Sequence, residues 1–175
     1  MQPKPRSPDL ARRRALLATL AATAGVGACD ARPPVPQFEY TLLDGERGST
    51  AALRGRVLLV NFWATSCMSC IREMPALVAT HRKYAGRGLA TLAVAMRNDA
   101  PAAVAEFAER RALPFGVVID NTGDIAEVFR DLQATPTTYL IDKRGALARR
   151  YVGEPDFPAL HALVEKLLAE GTAQA

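Results

Sequence analysis

The sequence predicts an α/β fold with a mixed central sheet, and three observations carry that reading. Short apolar runs at Val57–Trp63, Leu89–Ala95 and Thr137–Ile141, and another at 115–119, have the length and content of buried strands. Between them apolar residues recur at three- and four-residue spacing, as amphipathic helices require. The alternation then gives way to a strand pair and a final helix, so parallel crossovers are completed by an antiparallel hairpin.

Taken in order, residues 38–42 alternate apolar and polar, and Asp44-Gly45 is a turn signal, so a short N-terminal hairpin is expected. Residues 51–55 form a brief turn into the strand Val57–Trp63. After it, Ile71, Met74, Leu77, Val78 and Tyr84 lie at helical spacing, with Pro75 kinking the helix rather than preventing it. Gly86-Arg87-Gly88 ends that helix, and Leu89–Ala95 is the next strand. Asp99 is placed to cap a helix running to about Arg111, with Pro101 in its first turn. The strand at 115–119 follows. Thr122 is placed to cap a helix whose inner face is Ile125, Val128, Phe129 and Leu132. Thr137–Ile141 and Leu147–Val152 pair across the turn Lys143-Arg144-Gly145. A last helix starts at Asp156, with Leu160, Leu163, Val164, Leu167 and Leu168 on one face and Gly171 beyond its end.

At 175 residues, 49% of them hydrophobic, the chain holds one domain and appendages. The net charge of +4 is unevenly placed. Lys4, Arg6, Arg12, Arg13, Arg14 and Asp9 fall in the first 28 residues, and they take 5 of the 22 basic and 1 of the 18 acidic side chains. The remainder carries 17 of each sign, so the domain is neutral and offers no basic patch for nucleic acid.

Residues 1–28 read as a targeting segment. Arg12-Arg13-Arg14 precedes an apolar run from Ala15 to Ala24, which is too short to span a bilayer. Val26-Gly27-Ala28-Cys29 resembles a bacterial lipobox, which implies cleavage before Cys29 and a lipid on its sulfur. Asp30 resembles the signal that keeps such lipoproteins in the inner membrane of Gram-negative bacteria, and the arginine run is similar to a twin-arginine export signal. An ordinary signal peptide cut elsewhere, or an uncleaved anchor, are the alternatives. Residues 29–36 read as a tether, in which the extended Pro-rich stretch from Ala31 to Pro36 would lift the domain roughly 19 Å off the membrane. The domain proper is expected at 37–171.

The chemistry is placed at the end of the strand Val57–Trp63, where Cys67-Met68-Ser69-Cys70 opens the following helix. A helix N-terminus favours negative charge, and the thiolate is the reactive form of cysteine. The i, i+3 spacing brings Cys70 within disulfide reach of Cys67. Cys67 would attack a partner disulfide and Cys70 would resolve the mixed disulfide. A zinc site needs a second ligand pair, and only Cys29, His81 and His161 remain, scattered along the chain. No metal and no cofactor are expected. Both histidines lie on helical stretches and read as helix-face residues.

A second constellation is Thr135-Pro136-Thr137-Thr138, a proline directly before an apolar strand. Such a proline belongs at a strand edge, and by base rates its peptide bond is trans. Trp63 at the strand end is either core or part of the site. Glu73 is either an exposed carboxylate favoured by the helix dipole or a group taking part in the chemistry.

Together, Trp63 to Cys70 and Thr135 to Thr138 resemble the thioredoxin fold, and more narrowly the membrane-tethered TlpA/ResA-type thiol-disulfide oxidoreductases. The resemblance covers about residues 37–170. It implies a mixed sheet with an N-terminal β-hairpin and an inserted helix-strand unit within 99–119. It implies a redox disulfide Cys67–Cys70 and a cis-Pro136 loop facing the cysteines, where the Thr135 backbone pairs with a substrate strand. Trp63 would pack beneath the site as a substrate-binding residue with Thr135 and Pro136, and Glu73 would support proton transfer from Cys70. Asn61 stands where cytoplasmic thioredoxin has a buried Asp, in agreement with this branch. Expected partners are cysteine-containing envelope proteins and a membrane electron donor of the DsbD/CcdA type, met by a monomer anchored on the periplasmic face of the inner membrane. Cytochrome c maturation or preparation of cysteine copper sites follows by analogy.

Ser66 replaces the usual aromatic before the first Cys, and Met68-Ser69 replaces the Gly-Pro or Glu-Pro of relatives. Losing the proline frees a backbone amide to stabilise the thiolate, which makes the disulfide more oxidising. Two rivals share features of the sequence. A peroxiredoxin/AhpC-TSA-like peroxidase shares the fold but wants Pro and Thr at a spacing absent before Cys67. A Sco-like copper chaperone wants three residues between its cysteines. Met68, Met74 and Met96 are soft ligands, but Met at helical spacing is more often core.

Overall fold

The computed structural model describes residues 1–2 and 32–171. Cys29 and the targeting segment lie outside the described residues. Five strands form the central sheet: β3 (Val57–Trp63), β4 (Leu89–Ala95), β5 (Gly116–Ile119), β6 (Thr137–Ile141) and β7 (Leu147–Val152). Their order is β5-β4-β3-β6-β7. β3 pairs parallel with β4 and antiparallel with β6, so it is central and its seven residues are all buried. The two parallel connections contain α1 (Met68–Tyr84) and α2 (Pro101–Arg110). α2 and β5 are the expected inserted unit. α3 (Asp124–Val128) precedes β6, and α4 (Phe157–Ala169) follows β7. β1 (Glu39–Thr41) and β2 (Arg47–Ser49) make the N-terminal hairpin.

Side chains alternate across β3, so it feeds two cores. Val57, Leu59 and Trp63 pack with Met74, Leu77 and Tyr84 of α1, Phe107 of α2 and Leu160 of α4. Leu58, Val60 and Phe62 pack on the other face with Ile125, Phe129 and Tyr139. Asn61 shares the odd-numbered face with Trp63, which turns a buried amide towards α1. Pro75 sits inside α1, which continues through it to Tyr84. Among the described residues no helix is long and apolar enough to cross a membrane.

Three expectations are corrected. Asp99 does not cap α2. Ala100 holds that position without a side-chain bond, and Pro101 begins the helix. Thr122 does not cap α3 either. The Asp120 carboxylate accepts from the backbone N–H groups of Gly123, Ile125 and Ala126. Three amides on one carboxylate satisfy the end of a helix too short to reach Leu132.

The third correction concerns the tether. Residues from Arg32 onward are part of the domain. Val35 N–H donates to the Gly145 carbonyl, and Leu147 N–H donates to that of Pro33. The Arg32 guanidinium bonds both the buried Asp142 carboxylate and Glu170, each at 3.0 Å. The prolines therefore lie along the β6–β7 turn instead of standing off as a spacer. Arg32→Ala is expected to cost about 2 kcal/mol, since Asp142 keeps its bonds to Arg144 and Ala146. Urea unfolding of the two proteins measures that difference.

Candidate redox site

Cys67 is the N-cap of α1, in extended backbone conformation, and the chain turns there from β3 into the helix. Its sulfur accepts from the Cys70 N–H at 3.2 Å, a cap in which sulfur takes the place usually held by a hydroxyl or carboxylate oxygen. Cys67 and Cys70 form a disulfide, with Cα atoms 5.2 Å apart, an ordinary span for one. The two sulfurs are not equivalent. Cys70 is fully buried, while Cys67 is partly exposed.

The β6 end of the sheet supplies the opposite wall. The Thr135–Pro136 peptide bond is cis. The Thr135 carbonyl oxygen lies 3.6 Å from the Cys67 sulfur. The Pro136 carbonyl is held by Gly153 N–H, which ties this loop to the end of β7. The loop thus faces the cysteines across the end of β3.

One helical turn after Cys70, Glu73 is completely buried in α1. Asn61 donates from Nδ2 to Glu73 Oε1 at 2.8 Å and to Thr138 Oγ1 at 3.0 Å. The other carboxylate oxygen, Oε2, and Asn61 Oδ1 have no partner within the described structure. Burial pushes the Glu73 carboxyl up to about 7. The Asn61 hydrogen bond pulls the other way, and the Glu154 charge adds to the rise. A carboxyl that titrates near neutrality one helical turn from a redox cysteine can take up and release protons at working pH.

A family model described as AhpC/TSA matches residues 32–150. The chain belongs to the AhpC/TSA family. Its similarity extends to a thioredoxin-like protein of Bacillus subtilis called YneN, 35% identical over 67% of this chain and 69% of that one. It also extends to the thiol-disulfide oxidoreductase ResA of Bacillus cereus, 30% identical over 75% of each chain. Among solved structures, a thiol:disulfide interchange protein of the thioredoxin family from Chlorobium tepidum matches with a TM-score of 0.72 and 26% identity, covering 79% of this chain and 97% of that one. This AhpC/TSA family member is a thiol-disulfide oxidoreductase of the thioredoxin fold.

Trp63 needs correction as a substrate-binding residue. It is fully buried against Phe107, with ring centroids 5.0 Å apart, so it supports the site from below and offers no surface to a partner. Asp99 was legible only as a helix cap. In the structure it clamps the loop before Cys67, accepting from Thr65 N–H at 2.7 Å and from the Thr65 hydroxyl at 2.6 Å. Those bonds commit Thr65, the nearest threonine upstream of Cys67, to Asp99. His81 and His161 bond Thr91 and Thr80 in the interior and stand apart from the cysteines.

Proposed function

We propose that this oxidoreductase reduces disulfides of cell-envelope proteins, tethered by a lipid on Cys29 at the periplasmic face of the inner membrane. The observation that carries the site assignment is the asymmetry of the pair, with Cys67 partly exposed opposite the Thr135 carbonyl and Cys70 buried behind it. A partner cysteine on an extended strand can reach only Cys67. The Thr135–Pro136 backbone offers that strand its pairing groups.

The reduced protein begins as a dithiol. The Cys67 thiolate attacks one sulfur of the partner disulfide, the partner S–S bond breaks, and the departing sulfur takes a proton. Cys70 then loses its proton, with Glu73 as acceptor, and its thiolate attacks Cys67 Sγ. The mixed disulfide breaks, Cys67–Cys70 closes, and two electrons have passed to the partner. A membrane donor of the DsbD/CcdA type would restore the dithiol. Substrates of the cytochrome c or copper-site kind fit the resemblance of the motifs to the TlpA/ResA branch.

Equilibration of the full chain with glutathione tests the direction. A potential near thioredoxin's, about −270 mV, is expected for a reductase. A value near about −120 mV, as for DsbA, would reverse the proposed flow of electrons.

A further inference from the structure

Among the described residues the Cys67 sulfur has three polar neighbours. The Cys70 N–H points at it from 3.2 Å, the Ser69 hydroxyl lies 3.3 Å away, and the Thr135 carbonyl oxygen lies 3.6 Å away. The carbonyl is an acceptor and opposes negative charge on the sulfur. The amide is a donor and favours it. Ser69 decides the balance. In the disulfide Cys67 has no proton to give, so the hydroxyl is the donor. Among the described residues that hydroxyl has no other hydrogen-bond partner. It stands in the first turn of α1, where the helix backbone fixes its position against the N-cap sulfur. No backbone change is needed for the same hydroxyl to meet a thiolate after reduction.

We infer that Ser69 is a catalytic residue of the exchange reaction: its hydroxyl donates to the Cys67 thiolate and so sets both the acidity of the attacking thiol and the poise of the dithiol. This rests on the reading of Cys67 as the attacking sulfur. Reduction of the disulfide by two electrons creates the anion that Ser69 stabilises, so the hydroxyl favours the reduced form. A proline at this position would keep a hydroxyl from the sulfur. Ser69 supplies a second donor, from its side chain, beyond the backbone amide at Cys70.

The test compares Ser69→Ala and Ser69→Thr with the parent chain. Absorbance of the reduced proteins near 240 nm against pH gives the ionisation of Cys67. Equilibration with glutathione gives the poise. Ser69→Ala is expected to raise the apparent pKa of Cys67 by about one unit, the effect of losing one hydrogen bond to a charged sulfur. It is also expected to favour the disulfide about tenfold, which is about 30 mV towards more negative potential for a two-electron couple. Ser69→Thr keeps the hydroxyl and should stay near the parent in both. An alanine variant unchanged in both readouts, or a threonine variant that behaves as the alanine one, overturns the role of Ser69. A low thiolate titration that survives in Cys67→Ala instead overturns the assignment of the attacking sulfur, and the inference falls with it.

Discussion

With Cys70 replaced by alanine, the reduced protein is expected to accumulate in mixed disulfides through Cys67 and to lose turnover by a factor of at least about 10³. The resolving step in the parent is intramolecular. The Cα atoms are 5.2 Å apart, and the N-cap geometry already points the Cys70 N–H at the Cys67 sulfur. A free thiol in solution has no such advantage, because well-oriented intramolecular groups act at effective concentrations far above any attainable one. The wall formed by Thr135 and Pro136 further restricts approach from outside. Non-reducing electrophoresis and mass spectrometry after acid quenching measure the trapped species. Equal trapping by Cys67→Ala, or undiminished turnover of Cys70→Ala, would show that the order of attack is wrong.

Replacing Glu73 by glutamine is expected to slow exchange about 10²-fold and, at the same time, to stabilise the protein at alkaline pH. The folded carboxyl titrates near 7, against 4.5 for the ordinary group. The folded state therefore holds a proton that the unfolded chain releases from about pH 4.5 upward. Stability from this group is complete below pH 4.5 and is lost as pH rises to about 7, up to about 3 kcal/mol at most. Glutamine keeps the shape without the charge, so the difference between the two proteins should grow over that window and level off above it. Urea unfolding at pH 5 and pH 8 reads the stability difference, and rates of model-disulfide reduction against pH read the chemistry. A difference independent of pH would mean that Glu73 is ionised throughout.

Much of this fold was legible because its signals are local. Apolar runs at Val57–Trp63, Leu89–Ala95 and Thr137–Ile141 gave the sheet, and helical spacing after Cys70 gave α1. The CxxC motif and the cis proline were legible through a resemblance spanning both halves of the chain. Side chains bonded across long sequence separations were not. Asp99 precedes a proline-started helix and looks like a cap, yet its partner Thr65 is 34 residues away. Arg32 follows a cysteine and precedes prolines, as a linker residue would, and its partners Asp142 and Glu170 are 110 and 138 residues distant. Trp63 at the end of β3 gives no sign in the sequence of which way its ring turns. Strand alternation settles that only once β3 is known to be buried on both faces.

The Asn61–Thr138 hydrogen bond joins positions 77 apart, and the Cys67–Thr135 contact joins positions 68 apart. A ribosome adding about 5–20 residues per second has exposed both cysteines for seconds before the other half of the site exists. A fragment that ends before Thr135 carries the dithiol, α1 and Glu73, but neither the carbonyl opposite Cys67 nor the hydroxyl that holds Asn61. Such a fragment has both cysteines but lacks the loop that faces them. Pairing of β3 with β6, a contact of high sequence separation and slow to form, is therefore the event that brings the Thr135–Pro136 loop to the cysteines. An incomplete chain therefore holds its two cysteines without the wall against which a partner strand would be placed.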